Sequence, residues 1–243
     1  GVLWGELDHE TQAHGLATTG GTVSTVGVAG YTLGGGTGHL ARSRGLAVDN
    51  VTGFDVVTAD GELRRANEAE HPELFWALRG GGGNFGVVTS FEYRLGRVGP
   101  GVMAGQVVHS IEAAGDALRF YREFIASAPE ELACYAFIVR APPVDPFPAE
   151  VQGRPVLSLV AVHVGAEEAA REALRPLEAF GSPVLGGFQK MPYVVAQSMF
   201  DEAMPKGNRR ASRAQLFDEI SDAAIDTLVN FGADLQGPFT SAY

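Results

Sequence analysis

Hydrophobic and polar positions change their texture near the middle of the chain. From residue 101 onward the pattern alternates between short apolar strands and amphipathic helices. Gly105 to Ser110, Cys134 to Arg140 and Val156 to Val164 are β-branched or apolar runs of strand length, the last two flanking a loop with Pro142, Pro143, Pro146 and Pro148. Ala113 to Ala126, Glu167 to Phe180 and Ser221 to Phe231 carry helical periodicity. Helices mixed with non-consecutive strands predict an α+β fold, an antiparallel sheet covered by helices on one face.

Before residue 97 the elements are shorter. Glu6 to His14 predicts a helix with Asp8 as N-cap and Gly15 as its C-terminal stop. Thr18 to Gly38 is too dense in glycine for an interior helix and predicts loops and short extended pieces. Phe54 to Thr58 and Glu62 to Arg65 flank Ala59-Asp60-Gly61, a hairpin with an Asp-Gly turn. Pro72 to Arg79 reads as a short helix stopped by Gly80 to Gly83, and Val87 to Leu95 as a strand. The change of texture places a domain boundary near Arg97, giving regions 1–97 and 98–243.

Composition narrows the function. The net charge of -11 argues against nucleic acid as a partner, since no basic stripe offsets it and Arg209, Arg210 and Arg213 form the one real cluster. The single cysteine, Cys134, excludes an intramolecular disulfide and a cysteine-based zinc site, and no metal is expected. No apolar run reaches the length of a membrane span and no signal-peptide pattern opens the chain, so no membrane partner and a cytoplasmic location are expected. The chain opens on Gly1-Val2-Leu3-Trp4 and stops at Thr240-Ser241-Ala242-Tyr243, which reads as a piece cut from something longer.

Several tempting motifs fail on mechanism. Gly81-Gly82-Gly83-Asn84-Phe85-Gly86 fits G-x-G-x-x-G, but a helix precedes it and a strand follows, the reverse of a dinucleotide-binding turn. His9 and His14 are one position too far apart for two imidazoles on one helix face to share a metal. Asn50-Val51-Thr52 fits a glycosylation sequon, with nothing to indicate secretion. The chain has neither a G-x-S-x-G elbow nor a Walker A loop. What remains is glycine: 32 residues, concentrated in the first hundred positions. The stretch from Gly20 to Gly30, with Gly34-Gly35-Gly36 and Gly80 to Gly83, exposes backbone N–H groups that can approach an anionic or planar ligand. The alternative is a set of tight turns in a β-rich domain.

The order of motifs resembles the berberine-bridge-enzyme-like oxidases. It runs through Thr11-Gln12-Ala13-His14-Gly15-Leu16-Ala17, Val26-Gly27-Val28-Ala29-Gly30-Tyr31-Thr32-Leu33-Gly34-Gly35-Gly36 and Gly45-Leu46-Ala47-Val48-Asp49-Asn50. It continues with Val57-Thr58-Ala59-Asp60-Gly61 and Leu74-Phe75-Trp76-Ala77-Leu78-Arg79-Gly80 through Gly86-Val87-Val88-Thr89. Looser similarity follows at Pro192-Tyr193 with Gln197, and at Gly207 with Arg209. The resemblance implies a PCMH-type FAD-binding domain of two subdomains plus a substrate domain whose sheet covers the isoalloxazine. This chain would hold the second FAD subdomain and a substrate domain incomplete at its C-terminus.

By that resemblance FAD is the cofactor. Gly20, Gly21, Thr22, Val23, Thr25, Val26, Gly27, Val28, Gly30, Tyr31 and Gly34 would line its pyrophosphate and ribityl chain, and Gly86, Val87 and Val88 would meet the adenosine end. Tyr31 stands where many relatives place a histidine; its alternative is a core tyrosine with a capped hydroxyl. Val23 stands where bicovalent relatives place the flavin-linking cysteine, so a cysteinyl bond is impossible there; the Arg-Gly-Gly-His type motif that supplies the second link has no counterpart. The C-terminal tyrosine motif often assigned the catalytic base is also missing, and no catalytic residue is named. Arg210 and Ala211 replace aromatics common in relatives. Tyr193, Gln197 and Arg213 are the substrate-side candidates, with helix packing as the plain alternative for the first two.

The implied activity is oxidation of an alcohol, sugar or other small organic substrate by hydride transfer to flavin N5, with O₂ as acceptor. Two other readings stay open: a non-catalytic or degenerate flavin-fold fragment that needs a missing segment or partner chain to bind FAD, and a cofactor-free binding module. A homodimer, or another covering of exposed sheet edges, is expected for a fragment of such a fold.

Overall fold

In a computed structural model the chain is described at all residues except 206, 208–210, 216, 238–239 and 243. It divides into two compact units: Gly1–Val102 with Met191–Glu202, and Met103–Lys190 with Ala203–Tyr243. A boundary near Arg97 assigns Met191–Glu202 to the second region, whereas the fold returns it to the first.

The first unit opens with α1 (Trp4–Gln12) and β1 (Leu16–Ala17). Asp8 is not the N-cap of α1; Leu3 is, with its N–H donating to Glu6 Oε2 at 2.8 Å, and Asp8 lies buried in the helix interior. The reason is Trp4, fully buried, which draws the start of the helix one turn earlier to bury its ring. Gly15 ends this turn with φ +65, a conformation that favours glycine. The stretch predicted as loop contains α2 (Val28–Leu33), followed by α3 (Ala41–Arg44). Tertiary burial of Val28 and Thr32 overrides the low helix propensity of the glycines around them.

The predicted hairpin is β2 (Val51–Val57) with β3 (Leu63–Ala66), Val57 opposite Leu63, and Gly61 at φ +82 in the turn. After α4 (Pro72–Leu78), β4 (Val87–Tyr93) pairs antiparallel with β2, giving the sheet order β3-β2-β4. Its core is Phe54, Val56, Phe75 and Leu78, with Phe91 edge-on to Phe54 at 5.3 Å between ring centroids. β5 (Gly96–Arg97) pairs with β1, and α7 (Tyr193–Gln197) completes the unit.

The second unit is an antiparallel sheet in the order β7-β8-β6-β9, from β6 (Gly101–Ser110, starting in the first unit), β7 (Leu132–Arg140), β8 (Pro155–His163) and β9 (Leu185–Pro192, ending in the first). The helices α5 (Ala114–Ser127), α6 (Glu167–Ala179) and α8 (Asp222–Ala233) pack on one face. Leu118, Leu174, Leu177 and Ile225 from these helices meet Val107, Leu157, Leu159 and Ala161 from the sheet. This is the expected α+β layer. β9 escaped prediction because Gly186 and Gly187 and a mostly exposed pattern hide its alternation. No helix among the described residues is long and apolar enough to cross a membrane.

Candidate functional site

The glycines of the first unit divide by what a side chain would meet. At Gly20 a Cβ would come within 2.6 Å of the Trp4 ring, and at Gly21 within 3.1 Å of the Tyr31 ring. At Gly38 it would overlap the carbonyl oxygen of Gly20. These three are set by the protein's own close packing, so they hold the loop in place without themselves marking a ligand surface. The loop from Thr22 to Val26 then turns back, with Val26 N–H donating to Val23 O at 3.2 Å. Backbone donors at the start of α1 grip it from one side: Gly5 N–H to Ser24 O at 2.8 Å and Trp4 N–H to Val26 O at 3.0 Å.

Gly27, Gly30 and Gly34 behave differently. They stand at the N-cap, in the middle and at the C-cap of α2, a spacing of three and four that places them on one helix face. A Cβ at Gly27 or Gly30 meets nothing within 4 Å, and at Gly34 the nearest atom is 3.6 Å away. Gly30 sits inside a helix at a cost of about 1 kcal/mol relative to alanine, and no neighbour in the fold demands it. The result is an exposed stripe of bare backbone. Beside it Tyr31 is half-buried, edge-on to Trp4 at 6.2 Å, with its hydroxyl donating to Thr37 O at 2.7 Å.

The second glycine cluster comes to the same place. α2 lies against the 3-10 turn Gly82–Phe85. Gly86, at φ +145, follows that turn, and a Cβ there would overlap the carbonyl oxygen of Val57. Val87 and Val88 pair with Val57 and Val56, Val87 pointing outward at 70% exposure. Thr22, Val23 and Val26 are half-buried, Val28 is buried, and Thr25 is exposed.

The substrate-side candidates separate. Tyr193 and Gln197 are both 1% exposed and lie behind the loop rather than open to a ligand: Tyr193 Oη donates to Gln197 Oε1 at 3.3 Å, and Gln197 Nε2 donates to Gly21 O at 2.6 Å. Arg213 belongs to the second unit, where it is exposed and donates to Ser212 O. Arg209 and Arg210 lie outside the described residues. Sequence reading missed Ser24 and Asp201, which join the loop to the segment carrying Gln197. The spacing of Tyr193, Gln197 and Asp201, four residues at each step, was the available signal.

Burial favours the neutral forms of titratable groups in the interior of this unit. Burial pushes the His39 imidazole down to about 4 and the Asp8 carboxyl up to about 7. Burial raises the Tyr93 phenol to about 12, against a 2.6 Å hydrogen bond to the Thr32 hydroxyl. Trp4 Nε1, Asp8 Oδ2 and Thr18 Oγ1 are buried without a hydrogen-bond partner among the described residues. No group of three metal-ligating side chains occurs among the described residues. An anionic ligand on this face would therefore be met by backbone and hydroxyl groups.

Residues 1–67 match the family described as FAD binding domain. Over 231 residues the chain is 33% identical to an FAD-linked oxidoreductase of Dictyostelium discoideum, covering 94% of this chain and 48% of that protein. The chain is a homologue of the FAD-linked oxidoreductases. Its fold matches 6-hydroxy-D-nicotine oxidase from Arthrobacter nicotinovorans with a TM-score of 0.73 and 28% identity, over 86% of this chain and 44% of the other. A berberine-bridge-enzyme-like protein of Physcomitrella patens shares the fold with a TM-score of 0.76 at 20% identity, over 95% of this chain and 51% of the other. The homologue thus spans about half the length of relatives matched along most of its own chain.

The matched domain and the homologues point to FAD as the cofactor, and the site fits it. The bare stripe on α2 admits close approach of a flat or phosphate-bearing group. Val23 offers no nucleophile for a covalent link, and the single thiol, Cys134, is buried in β7 of the second unit.

Proposed function

We propose that this chain forms part of the flavin site of an FAD-dependent oxidase acting on an alcohol, sugar or other small organic molecule. The observation that carries the reading is the Gly27–Gly30–Gly34 stripe, open and unexplained by packing, within a chain whose first 67 residues match an FAD binding domain. When bound, FAD would supply the redox chemistry, two-electron oxidation of the substrate by hydride transfer with O₂ as the final acceptor.

The chain's own residues bind and orient. Backbone from Thr22 to Gly27 and the α2 stripe would hold the pyrophosphate and ribityl chain, with Gly20 and Gly21 shaping the loop, and Gly86 to Val88 would hold the adenosine end. Tyr31 stands at the edge of the stripe and keeps its hydroxyl engaged on Thr37 O. Attachment is non-covalent at Val23, because a valine side chain has nothing to form the bond. Exposed backbone on β4, the outer strand of the β3-β2-β4 sheet, suits covering by a further segment or a second copy.

An absorbance spectrum of the purified chain, taken before and after acid precipitation, tests the reading. Flavin bands in the acid supernatant support a non-covalent flavoprotein and justify a screen of alcohols and sugars for O₂ consumption. A featureless spectrum after added FAD would instead favour a fragment that needs another segment or chain to complete the site.

A further inference from the structure

We propose that Met191–Glu202 is a clamp that fixes the shape of the flavin loop, with Gln197 and Asp201 as its positioning residues. The flavin half of this proposal rests on the reading above; the loop half does not. Two side chains from this segment reach across 176 and 177 positions of sequence to grip the turn at two points. Gln197, 1% exposed, donates through Nε2 to Gly21 O at 2.6 Å, and its own Oε1 accepts from Tyr193 Oη. Asp201 accepts from the Ser24 N–H at 2.8 Å on one oxygen and from the Ser24 hydroxyl at 2.5 Å on the other.

The chemistry suits positioning. A carboxylate that accepts a main-chain N–H and the same residue's hydroxyl fixes both the peptide plane and χ1 of Ser24. The other side of Ser24 is already held, since its carbonyl accepts from Gly5 N–H at 2.8 Å. Gly21 is fixed by the Gln197 bond on its carbonyl and by the Tyr31 ring beside its Cα. Between these two anchors lie only Thr22 and Val23, so their backbone has little freedom left. The segment thus presets the turn that the α2 stripe continues, and a preset turn binds its ligand without a cost of ordering.

The chain is prepared as wild type, Asp201→Ala, Asp201→Asn and Gln197→Leu. Asparagine can still accept the Ser24 N–H and donate to the hydroxyl; alanine can do neither. Amide exchange at Ser24 without ligand, FAD affinity by flavin fluorescence, and visible circular dichroism of bound flavin are measured together. Asp201→Ala should speed Ser24 exchange and weaken FAD binding by about tenfold or more, Gln197→Leu should weaken binding similarly, and Asp201→Asn should stay within about threefold of wild type. A changed flavin dichroism in Asp201→Ala, restored in Asp201→Asn, would mark positioning rather than a general loss of stability. Unchanged Ser24 exchange in Asp201→Ala, or equal FAD affinity in all variants, would overturn the clamp. If wild type takes up no FAD the flavin reading fails by itself, and Ser24 exchange alone then upholds or overturns the clamp.

Discussion

The two units reach order by opposite means. In the second, each position is defined by the side chain it contributes: Leu118, Leu174, Leu177 and Ile225 fill the space between three helices and a sheet. In the first, the decisive positions are defined by the side chain they lack. Gly20 admits the Trp4 ring, Gly38 admits the Gly20 carbonyl, and Gly27 and Gly30 leave open space. A scaffold tolerates similar side chains of similar volume. A close backbone contact such as Gly38 tolerates no addition, whereas the bare stripe at Gly27 and Gly30 has room for one that only a ligand would oppose.

Mutations can break that comparison in either direction. The largest effect belongs to the second unit: Leu174→Ala, at a site 1% exposed, should cost about 2–5 kcal/mol by leaving a cavity. In the first unit the costly change is an addition. Gly38→Ala should cost on the order of 2–4 kcal/mol, because the new methyl meets backbone that cannot step aside. Urea denaturation measures both; a Gly38→Ala protein as stable as wild type would break the contrast.

A pH series sharpens it next. Burial raises the Asp8 carboxyl from its ordinary 3.8 to about 7, above its unfolded value. Its contribution to stability is therefore whole below about pH 4 and is lost as pH rises through about 7. Asp8→Asn should flatten this dependence and gain at most about 4 kcal/mol over wild type at pH 8, less whatever the buried amide costs. Parallel stability curves for the two proteins from pH 4 to 8 would contradict the buried, unpartnered carboxyl.

The smallest effect has the opposite sign. Gly30→Ala fills open space in a helix, so it should raise stability by up to about 1 kcal/mol. The same methyl stands on the proposed ligand face and should weaken FAD binding. Stability gained together with affinity lost is a signature that a packing role cannot produce.

The same contrast explains what the sequence made legible. Where periodicity carries the fold, as in Ala114–Ser127 and Glu167–Ala179, the expected helices Ala113 to Ala126 and Glu167 to Phe180 lie within a residue of the observed ones. The hairpin at Asp60-Gly61 was legible from turn chemistry. α2 was not, because its helix depends on burial of Val28 and Thr32, which no local propensity reports. Asp8 was misread as a cap because the aromatic anchor at Trp4 lies earlier and outweighs it. The glycine motifs suggest the proposed flavin loop through their order along the chain. That order does not suggest the loop's partners, since Asp201 and Ser24 are joined only by the fold.

The most direct test of the central claim is an FAD titration of wild type and Gly30→Leu, followed by flavin fluorescence and paired with thermal melting. The account predicts saturable binding by wild type and at least about tenfold weaker binding by Gly30→Leu, with a melting temperature no lower, because the leucine projects into open space. Equal affinity in the two proteins, or a loss of binding that merely follows a loss of stability, would contradict it.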